Sequence, residues 1–339
     1  MKLPDSPEIL QPKLVDALQR QGVEVEALHL IGLLDHSARS SVFSALINHE
    51  YYVIKLYHIH ANFVRDMRNY RRLTWPPPIF LSSKRSENAL GRDLVITRVP
   101  AGSSFTSANL LDWVRDRLGA HLVELHRSQR ARRVSVAGLH RSVNDTEAGA
   151  LAAAEQHGGP TARQATSAVI EQMHQFLNHR APIMRVKPSL LHNDPWWDNI
   201  IVAKDDVYLI DWEWMSVGDY ALDIAYARIM LFFRPVHDHS RGFWVTPRDE
   251  DAADRFFAGI AEAHCQEFND HTLFERLKFY LALQTLRRLS DYAAGTFEDY
   301  PELLAYWVEQ LPRFWHHGLG EAAASTTSWE SATARPDAP

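Results

Sequence analysis

Hydrophobic and polar positions follow two different periods along this chain. In the first hundred residues, short apolar runs rich in β-branched and aromatic side chains alternate with polar segments, which predicts strands at 27–34, 42–47, 51–57 and 94–99. Helical spacing precedes these runs at 6–22 and interrupts them at 60–73. Because the first three runs follow one another closely, we expect an antiparallel meander.

After residue 100 the apolar residues recur mainly with helical spacing. The pattern predicts helices at 107–127, 162–178, 220–233, 249–268, 273–294 and 301–314, with Ser107 capping the first of them. The segment 131–159, rich in Ala, Gly, Ser and charges, is predicted to be a surface excursion. Two short apolar runs at 200–202 and 207–210 predict a hairpin.

These two parts predict an α+β protein with two lobes. An antiparallel sheet is expected within residues 1–100 and a mainly helical lobe within 101–319. Residues 320–339 contain Trp329 as their one large apolar side chain, so we expect a disordered tail there.

Composition narrows the class of protein further. Of 339 residues, 46% are hydrophobic and 23% charged, which is typical of a globular chain. The 36 basic residues are outnumbered by 42 acidic ones, so nucleic acid is not the expected partner. A single cysteine, Cys265, excludes an internal disulfide, and no stretch is long and apolar enough to cross a bilayer. We expect a cytoplasmic protein with no membrane partner.

One polar constellation lies between the helical segments. His192, Asp194 and Asn199 have the spacing H-x-D-x4-N, and the apolar hairpin that follows ends at Asp211. In phosphoryl transfer, such a loop supplies an aspartate that faces the attacking hydroxyl, while an asparagine and a later aspartate hold Mg²⁺. Asp194 would then be the catalytic residue, and Asn199 and Asp211 the metal ligands. Alternatively, these residues simply form turns.

A lysine in an apolar strand adds weight to the phosphoryl-transfer interpretation. Lys55 lies in the middle of the third predicted strand, where an ammonium group is costly without an anionic partner. The partner would be the phosphates of ATP. The alternative is that Lys55 lies on the solvent-exposed face of its strand. Strand lysine, hinge strand ending at Val99, catalytic loop and strand-end aspartate follow one another in the order of protein kinases.

Three segments around this constellation resemble the signatures of the aminoglycoside phosphotransferase and choline kinase family. They are Leu191–Asn199, Leu209–Trp212 and Gly218–Ala225, and the resemblance extends from Leu28 to Phe314, with weaker similarity to the hygromycin phosphotransferase branch. It implies a protein kinase-like fold, with a nucleotide-binding lobe at 1–100 and a catalytic and substrate lobe at 101–319. It also implies an O-phosphotransferase that uses ATP and Mg²⁺.

The resemblance assigns further roles in the nucleotide site. Ser37 and Ser40 lie where the family has the turn that covers the nucleotide, although glycine is absent here, and Val99 would contact the nucleotide from the hinge. The glutamate that pairs with the strand lysine has no clear equivalent. Either Asp66 takes its place, or the pair is missing and Asn69 lies at the aligned position.

Two expectations concern the surroundings of the catalytic loop. Asp223 would brace the loop through hydrogen bonds, or else it merely favours a helix N-terminus through the helix dipole. Trp196 and Trp197 either pack in the core or stack on the substrate.

The resemblance points to an acceptor with hydroxyl and amino groups. A cation site could be built from seven carboxylates of the helical lobe: Glu213, Asp238, Glu250, Asp251, Asp291, Glu298 and Asp299. We therefore expect a cationic amino-sugar antibiotic as acceptor, ahead of choline-like amines, homoserine or neutral sugars. The alternatives are an inactive kinase-like binding module and a metal-dependent hydrolase built on His192 and Asp194.

Overall fold

A computed structural model describes residues 7–36, 40–73, 79–88, 90–98, 102–105, 109–128, 133–231, 247–296 and 301–319. The chain divides into two compact units. The first comprises Met1–Ser103 and Ala203–Glu213, and the second comprises Ser104–Val202 and Trp214–Pro339. The short segment around Asp211 thus belongs with the strand-rich part of the chain. The predicted tail at 320–339 lies outside the described residues.

The elements agree with the predicted α+β class. The strands are β1 (Leu28–His36), β2 (Ser40–Ile47), β3 (Glu50–Tyr57), β4 (Ile79–Ser83), β5 (Asp93–Arg98), β6 (Gly102–Ser104), β7 (Ser189–Leu191), β8 (Ile200–Ala203), β9 (Val207–Leu209) and β10 (Ser216–Gly218). The helices are α1 (Pro7–Arg20), α2 (His60–Tyr70), α3 (Asp112–His126), α4 (Val136–His179), α5 (Ala181–Met184), α6 (Ala221–Met230), α7 (Pro247–Phe268), α8 (Leu273–Ala293) and α9 (Pro301–His317).

The first unit contains a five-stranded antiparallel sheet in the order β1-β2-β3-β5-β4. The meander of the first three strands is as predicted, whereas β4 was missed because it follows Pro76–Pro78 and is short. Alternation along β3 buries Ile54 and Leu56 in a core shared with Leu14 and Leu18 of α1. Lys55 lies between those two core residues in sequence and therefore on the opposite face of the sheet.

The prediction of a surface excursion at 131–159 is wrong, because the segment from Val136 is the first half of α4. Small residues give it a buried stripe, and a side chain at Gly149 would clash with Ser290 of α8, so the close helix contact requires glycine. At Gly159 the backbone takes φ 64°, and Pro160 follows. This break is where the two halves of α4 meet.

Helix α3 also begins later than predicted. Its first residue is Asp112, and Leu111 precedes it without a side-chain cap, while Ser107, the predicted cap, lies outside the described residues. In the described residues, the other predicted helices agree with the structure to within a few residues at each end, whereas the short helix α5 was not predicted. In the segments that the structure describes, no helix is long and apolar enough to cross a membrane.

Two buried arginines join the helices of the second unit. Arg228 of α6 donates to Asp254 of α7 at 2.8 Å and also to Glu250. Arg276 of α8 is 2.7 Å from Asp219, the residue that precedes α6 by two positions. An unpaired buried charge is strongly destabilising, so these carboxylates are needed to neutralise the arginines. The same ion pairs fix the position of α6.

Candidate active site

The carboxylate of Asp223 holds the loop that carries Asp194 in place. Asp223, fully buried in the first turn of α6, accepts hydrogen bonds from the backbone N–H groups of His192 and Asn193, both at 2.8 Å. The bracing role expected for Asp223 therefore has a geometric basis beyond the helix dipole. Asn193 has φ 68°, a conformation that asparagine tolerates better than most residues.

A pair of buried histidines continues this support. His126 Nε2 lies 3.1 Å from Asp223 Oδ2, and His126 Nδ1 lies 2.9 Å from His264 Nε2. His264 Nδ1 donates to the carbonyl of Ile260 at 2.8 Å. Burial, reinforced by His126, lowers the pKa of His264 to about 3, so His264 is neutral and its Nε2 accepts from His126. Helices α3, α6 and α7 thus meet at the base of the loop.

Both carboxylate oxygens of Asp194 accept hydrogen bonds. Asn199 Nδ2 donates to Oδ2 at 3.0 Å and to the backbone carbonyl of Asp194 at 2.9 Å, and the hydroxyl of Tyr226 donates to Oδ1 at 2.6 Å. Burial and the charge of Asp194 raise the pKa of Tyr226 far above its usual range, so the phenol stays protonated. Sequence reasoning missed Tyr226, although it lies three residues after Asp223 on the same face of α6.

The predicted metal ligand Asn199 ends a 3-10 turn, Trp197–Asn199, and is buried. Both of its hydrogen bonds use Nδ2, so its amide oxygen is the atom suited to a cation. Trp197 is 7% exposed, which favours the core interpretation over stacking on a substrate. Trp196 lies against it at 5.5 Å between ring centroids.

Asp194 lines a cavity of about 360 Å³. The lining residues, all in the second unit, are Asn193, Asp194, Trp214, Tyr226, Gln284, Arg287 and Arg288. Of the seven carboxylates expected to form a cation site, the four that the structure describes, Glu213, Glu250, Asp251 and Asp291, are not among them. Two arginines of α8 are present instead.

In the first unit, Lys55 is surrounded by three carboxylates. Its Nζ lies 2.9 Å from Asp211 Oδ1, 3.1 Å from Glu213 Oε2 and 3.4 Å from Asp66 Oδ2, and its side chain is 13% exposed. At 13% exposure Lys55 does not lie free in solvent, and its anionic partners here are carboxylates, so contact with the phosphates of ATP stays a prediction. The contact of Asp66 with Lys55 is the one expected if Asp66 substitutes for the glutamate, whereas Asn69 donates to the carbonyl of Trp212 at 2.8 Å.

The charge balance of this cluster is negative. Burial alone would lower the pKa of Lys55, but Asp211, Asp66 and Glu213 outweigh it and raise the pKa well above its usual range. Arg65 lies 3.7 Å from both Asp66 and Glu213, so two cations face three carboxylates. Oxygens of the three carboxylates lie within 4.8 Å of one another. Such hard oxygen ligands suit Mg²⁺.

Asp211 is the best placed of these carboxylates to bind a cation. Its side chain is 39% exposed, against 12% for Glu213 and 3% for Asp66. It also has φ 60°, a conformation that costs about 1–3 kcal/mol for a residue other than glycine and that tends to occur at functional sites. Glu213 was expected to attract a cationic substrate, and its contact with Lys55 was not foreseen.

The remaining predicted nucleotide contacts are only partly described. Ser37 and Val99 lie outside the described residues. Ser40 is 4% exposed and belongs to β2, where it pairs with Tyr57, rather than to the preceding turn. Strand β2 therefore begins two residues earlier than the predicted strand 42–47.

Comparison with known protein families shows one match. A family model described as the phosphotransferase enzyme family matches residues 48–280, more than half of the chain. No curated protein sequence matches the chain.

Solved structures resemble the chain over nearly its whole length. A choline kinase from Cryptosporidium parvum Iowa II is 13% identical, with a TM-score of 0.60 and coverage of 89% of this chain and 95% of that one. The GDP complex of aminoglycoside 2'-phosphotransferase-IIIa is 14% identical, with a TM-score of 0.58 and coverage of 91% and 99%. A thermostable mutant of aminoglycoside phosphotransferase APH(4)-Ia, in ternary complex with AMP-PNP and hygromycin B, is 15% identical, with a TM-score of 0.54 and coverage of 89% and 99%. These similarities show the kinase-like fold predicted from the sequence.

Proposed function

We propose that this chain, which belongs to the phosphotransferase enzyme family, transfers the γ-phosphoryl group of ATP to a hydroxyl of a small molecule. The observation that carries the proposal is the carboxylate of Asp194. It is held by Asn199 and Tyr226 on a loop that Asp223 anchors, and it lines a cavity large enough for a small acceptor.

In the proposed reaction, the acceptor oxygen forms a bond to the γ-phosphorus, and the bond to the β,γ-bridging oxygen breaks, which releases ADP. The proton of the hydroxyl passes to Asp194. Each oxygen of an ionised carboxylate has lone pairs beyond those used by Asn199 and Tyr226, so the side chain can still accept that proton. Fixed orientation of the hydroxyl supplies part of the rate enhancement.

ATP and Mg²⁺ are the proposed cofactors. Lys55, which forms an ion pair with Asp66, would contact the phosphates. Ser37, Ser40 and Val99 are further proposed nucleotide contacts. Asn199 and Asp211 would hold Mg²⁺, which neutralises charge on the transferred group when bound. The excess of carboxylates over cations around Lys55 favours a divalent cation there.

The identity of the acceptor rests on weaker support. The similarity to enzymes described with gentamicin or hygromycin B favours an amino-sugar antibiotic, and the choline kinase favours a choline-like amine. The two arginines of the cavity, Arg287 and Arg288, disfavour both of these acceptors because both are cationic. Intact Asp194, Asn199 and Asp211 favour an enzyme over an inactive binding module, and Lys55 has no role in a hydrolase built on His192. The cytoplasm remains the compartment predicted from the sequence.

An ATP-consumption screen tests the proposal. Wild-type protein with Mg²⁺ is offered aminoglycosides, choline, homoserine, hydroxy acids and sugars, and ADP is measured. Asp194→Asn should reduce turnover by about 100-fold or more, because the positioned proton acceptor is lost. Mg²⁺-dependent nucleotide binding should change little, since Asp194 acts on the hydroxyl.

Asp205→Asn is the matched control, because Asp205 is an exposed aspartate in the turn between β8 and β9. It should retain full turnover. Turnover that survives Asp194→Asn would remove Asp194 from the mechanism, and failure of wild-type protein to bind nucleotide would remove the kinase assignment itself.

A further inference from the structure

The cavity beside Asp194 carries more positive than negative charge. Its seven lining residues include Arg287, Arg288 and Asp194 as the charged groups. Asp194 is committed to Asn199 and Tyr226 through both carboxylate oxygens. A cationic acceptor would therefore meet two guanidinium groups on one wall of the cavity.

The two arginines differ in how their charge is balanced. Arg288 pairs with Asp291, one helical turn further along α8, at 2.9 Å, and its guanidinium lies 5.7 Å from the ring centroid of Tyr226. Arg287 forms no ion pair with any residue in the described part of the chain. Within the described part of the chain, the guanidinium of Arg287 on the cavity wall therefore has no carboxylate counter-ion.

The environment of Arg287 disfavours an uncompensated charge. Burial lowers its pKa, and the neighbouring charge of Arg288 lowers it further, while Tyr280, Asp291 and Tyr226 only partly oppose these effects. A guanidinium stays charged in proteins, so a bound anion, rather than the loss of a proton, would offset the cost of this buried charge. Planar, paired donors of this kind match carboxylate and phosphate oxygens.

Three of the acidic residues that could have made a cation site have other partners. Glu250 binds the buried Arg228, Asp291 binds Arg288, and Glu213 belongs to the cluster around Lys55 in the first unit. Asp251 is exposed, and Asp238, Glu298 and Asp299 lie outside the described residues. None of the described members lines the cavity.

We infer that the acceptor carries an anionic oxygen group, a carboxylate or a phosphate, which binds Arg287 with help from Arg288 while its hydroxyl meets Asp194. This inference rests on the proposed phosphotransferase function and sets the charge class of its substrate. Arg287 and Arg288 are then specificity residues. The amino-sugar antibiotic expected from the sequence is not the natural acceptor.

A set of probes with one carbon skeleton tests the charge class. Gluconate and glucose 6-phosphate are anionic, glucose is neutral and glucosamine is cationic. Binding of each to the full chain is measured by calorimetry, with and without Mg²⁺ and AMP-PNP. At least one anion should bind about 10-fold more tightly than glucose and glucosamine, in line with a charge-assisted hydrogen bond. This difference in affinity should decrease as the salt concentration rises.

Arg287→Met should abolish the advantage of the anion, and Arg287→Lys should restore part of it, because charge is kept but paired donation is lost. Arg141→Met, at an exposed arginine of α4 outside the cavity, is the matched control and should bind like wild type. A preference for gluconate over glucose 6-phosphate, or the reverse, distinguishes carboxylate from phosphate.

Equal or weaker binding of both anions compared with glucosamine would overturn the inference, as would an anion preference that survives Arg287→Met. Nucleotide binding in the same samples is independent of this outcome. If AMP-PNP binds with Mg²⁺ while the anions show no preference, the phosphotransferase proposal stands and only the charge class of the acceptor fails.

Discussion

The hydroxyl of Tyr226 donates a 2.6 Å hydrogen bond to Oδ1 of Asp194, and both residues line the same cavity. This contact fixes one oxygen of the proposed proton acceptor, while Asn199 fixes the other. It also places the ring of Tyr226 beneath the guanidinium of Arg288. The side chain of Tyr226 therefore contacts both the proposed catalytic aspartate and an arginine of the proposed anion-binding wall.

Tyr226→Phe should lower kcat by about 10-fold with little change in nucleotide affinity, because a hydrogen bond to a charged carboxylate contributes about 1.5 kcal/mol and this one orients Asp194. The folded protein loses one polar contact and no packing volume. Single-turnover kinetics and nucleotide titration separate the two effects. An unchanged kcat would mean that the hydrogen bond does not position Asp194 during turnover.

Lys55→Met should weaken ATP use strongly, by about 100-fold in kcat/KM, since it removes the proposed phosphate contact. Asp66→Ala should cost less, because Asp211 and Glu213 still hold the ammonium group. The double variant should be no worse than Lys55→Met alone, the non-additivity typical of residues that act as a unit. Additive losses in steady-state kinetics would show that the Lys55–Asp66 contact has no part in ATP use.

Asp211→Ala should remove the magnesium dependence of nucleotide binding. The substitution deletes the most exposed carboxylate of the cluster around Lys55. Titration of a fluorescent ATP analogue with and without Mg²⁺ measures the difference. Asp205→Ala, on the preceding turn, should keep the wild-type dependence. Persistence of the magnesium effect in Asp211→Ala would mean that the cation is held elsewhere.

Acid should destabilise the fold through His264. Its pKa is about 3 in the folded protein and near 6.5 when unfolded, so between these values the unfolded chain binds more protons. The free energy of unfolding therefore decreases as pH falls below 6.5, by about 2 kcal/mol at pH 5 from this residue alone. Burial is the main cause of this low pKa and the charge of His126 adds to it, whereas the carbonyl of Ile260 and the carboxylate of Asp270 partly oppose it.

Urea unfolding at pH 7 and pH 5 measures this loss. His264→Gln should lose less stability than wild type between these two values, whatever its starting stability. His316→Gln, at an exposed histidine, is the control and should lose as much as wild type. Equal losses in all three proteins would exclude His264 as the acid-sensitive group.

The sequence predicted those features that local periodicity determines. Apolar alternation located β1 to β3, and helical spacing located α6 to α9. It failed at 131–159, where alanine and glycine give weak hydrophobic contrast even though they pack closely against α8. It also placed the start of α3 too early, because side-chain capping is only one way to begin a helix.

The same distinction applies to the candidate site. Spacing identified Asp194, Asn199, Asp211 and Lys55, which chemistry restricts to particular residue types. Glu213 and Arg287 were misjudged or missed because their roles depend on contacts between distant segments. Glu213 reaches Lys55 across 158 residues of sequence. Charge counts along the chain suggested an acidic pocket, but Glu213, Glu250 and Asp291 are paired with cations, and none of the described acids of that set lines the cavity.

The most direct test of the account is a phosphorus-31 NMR time course with ATP, Mg²⁺ and the best acceptor from the screen. The account predicts that ADP and a new phosphate monoester appear in equal amounts, and that Asp194→Asn suppresses both while Asp205→Asn does not. Release of ADP with inorganic phosphate as the sole other product, or a monoester that forms equally fast with Asp194→Asn, would contradict it.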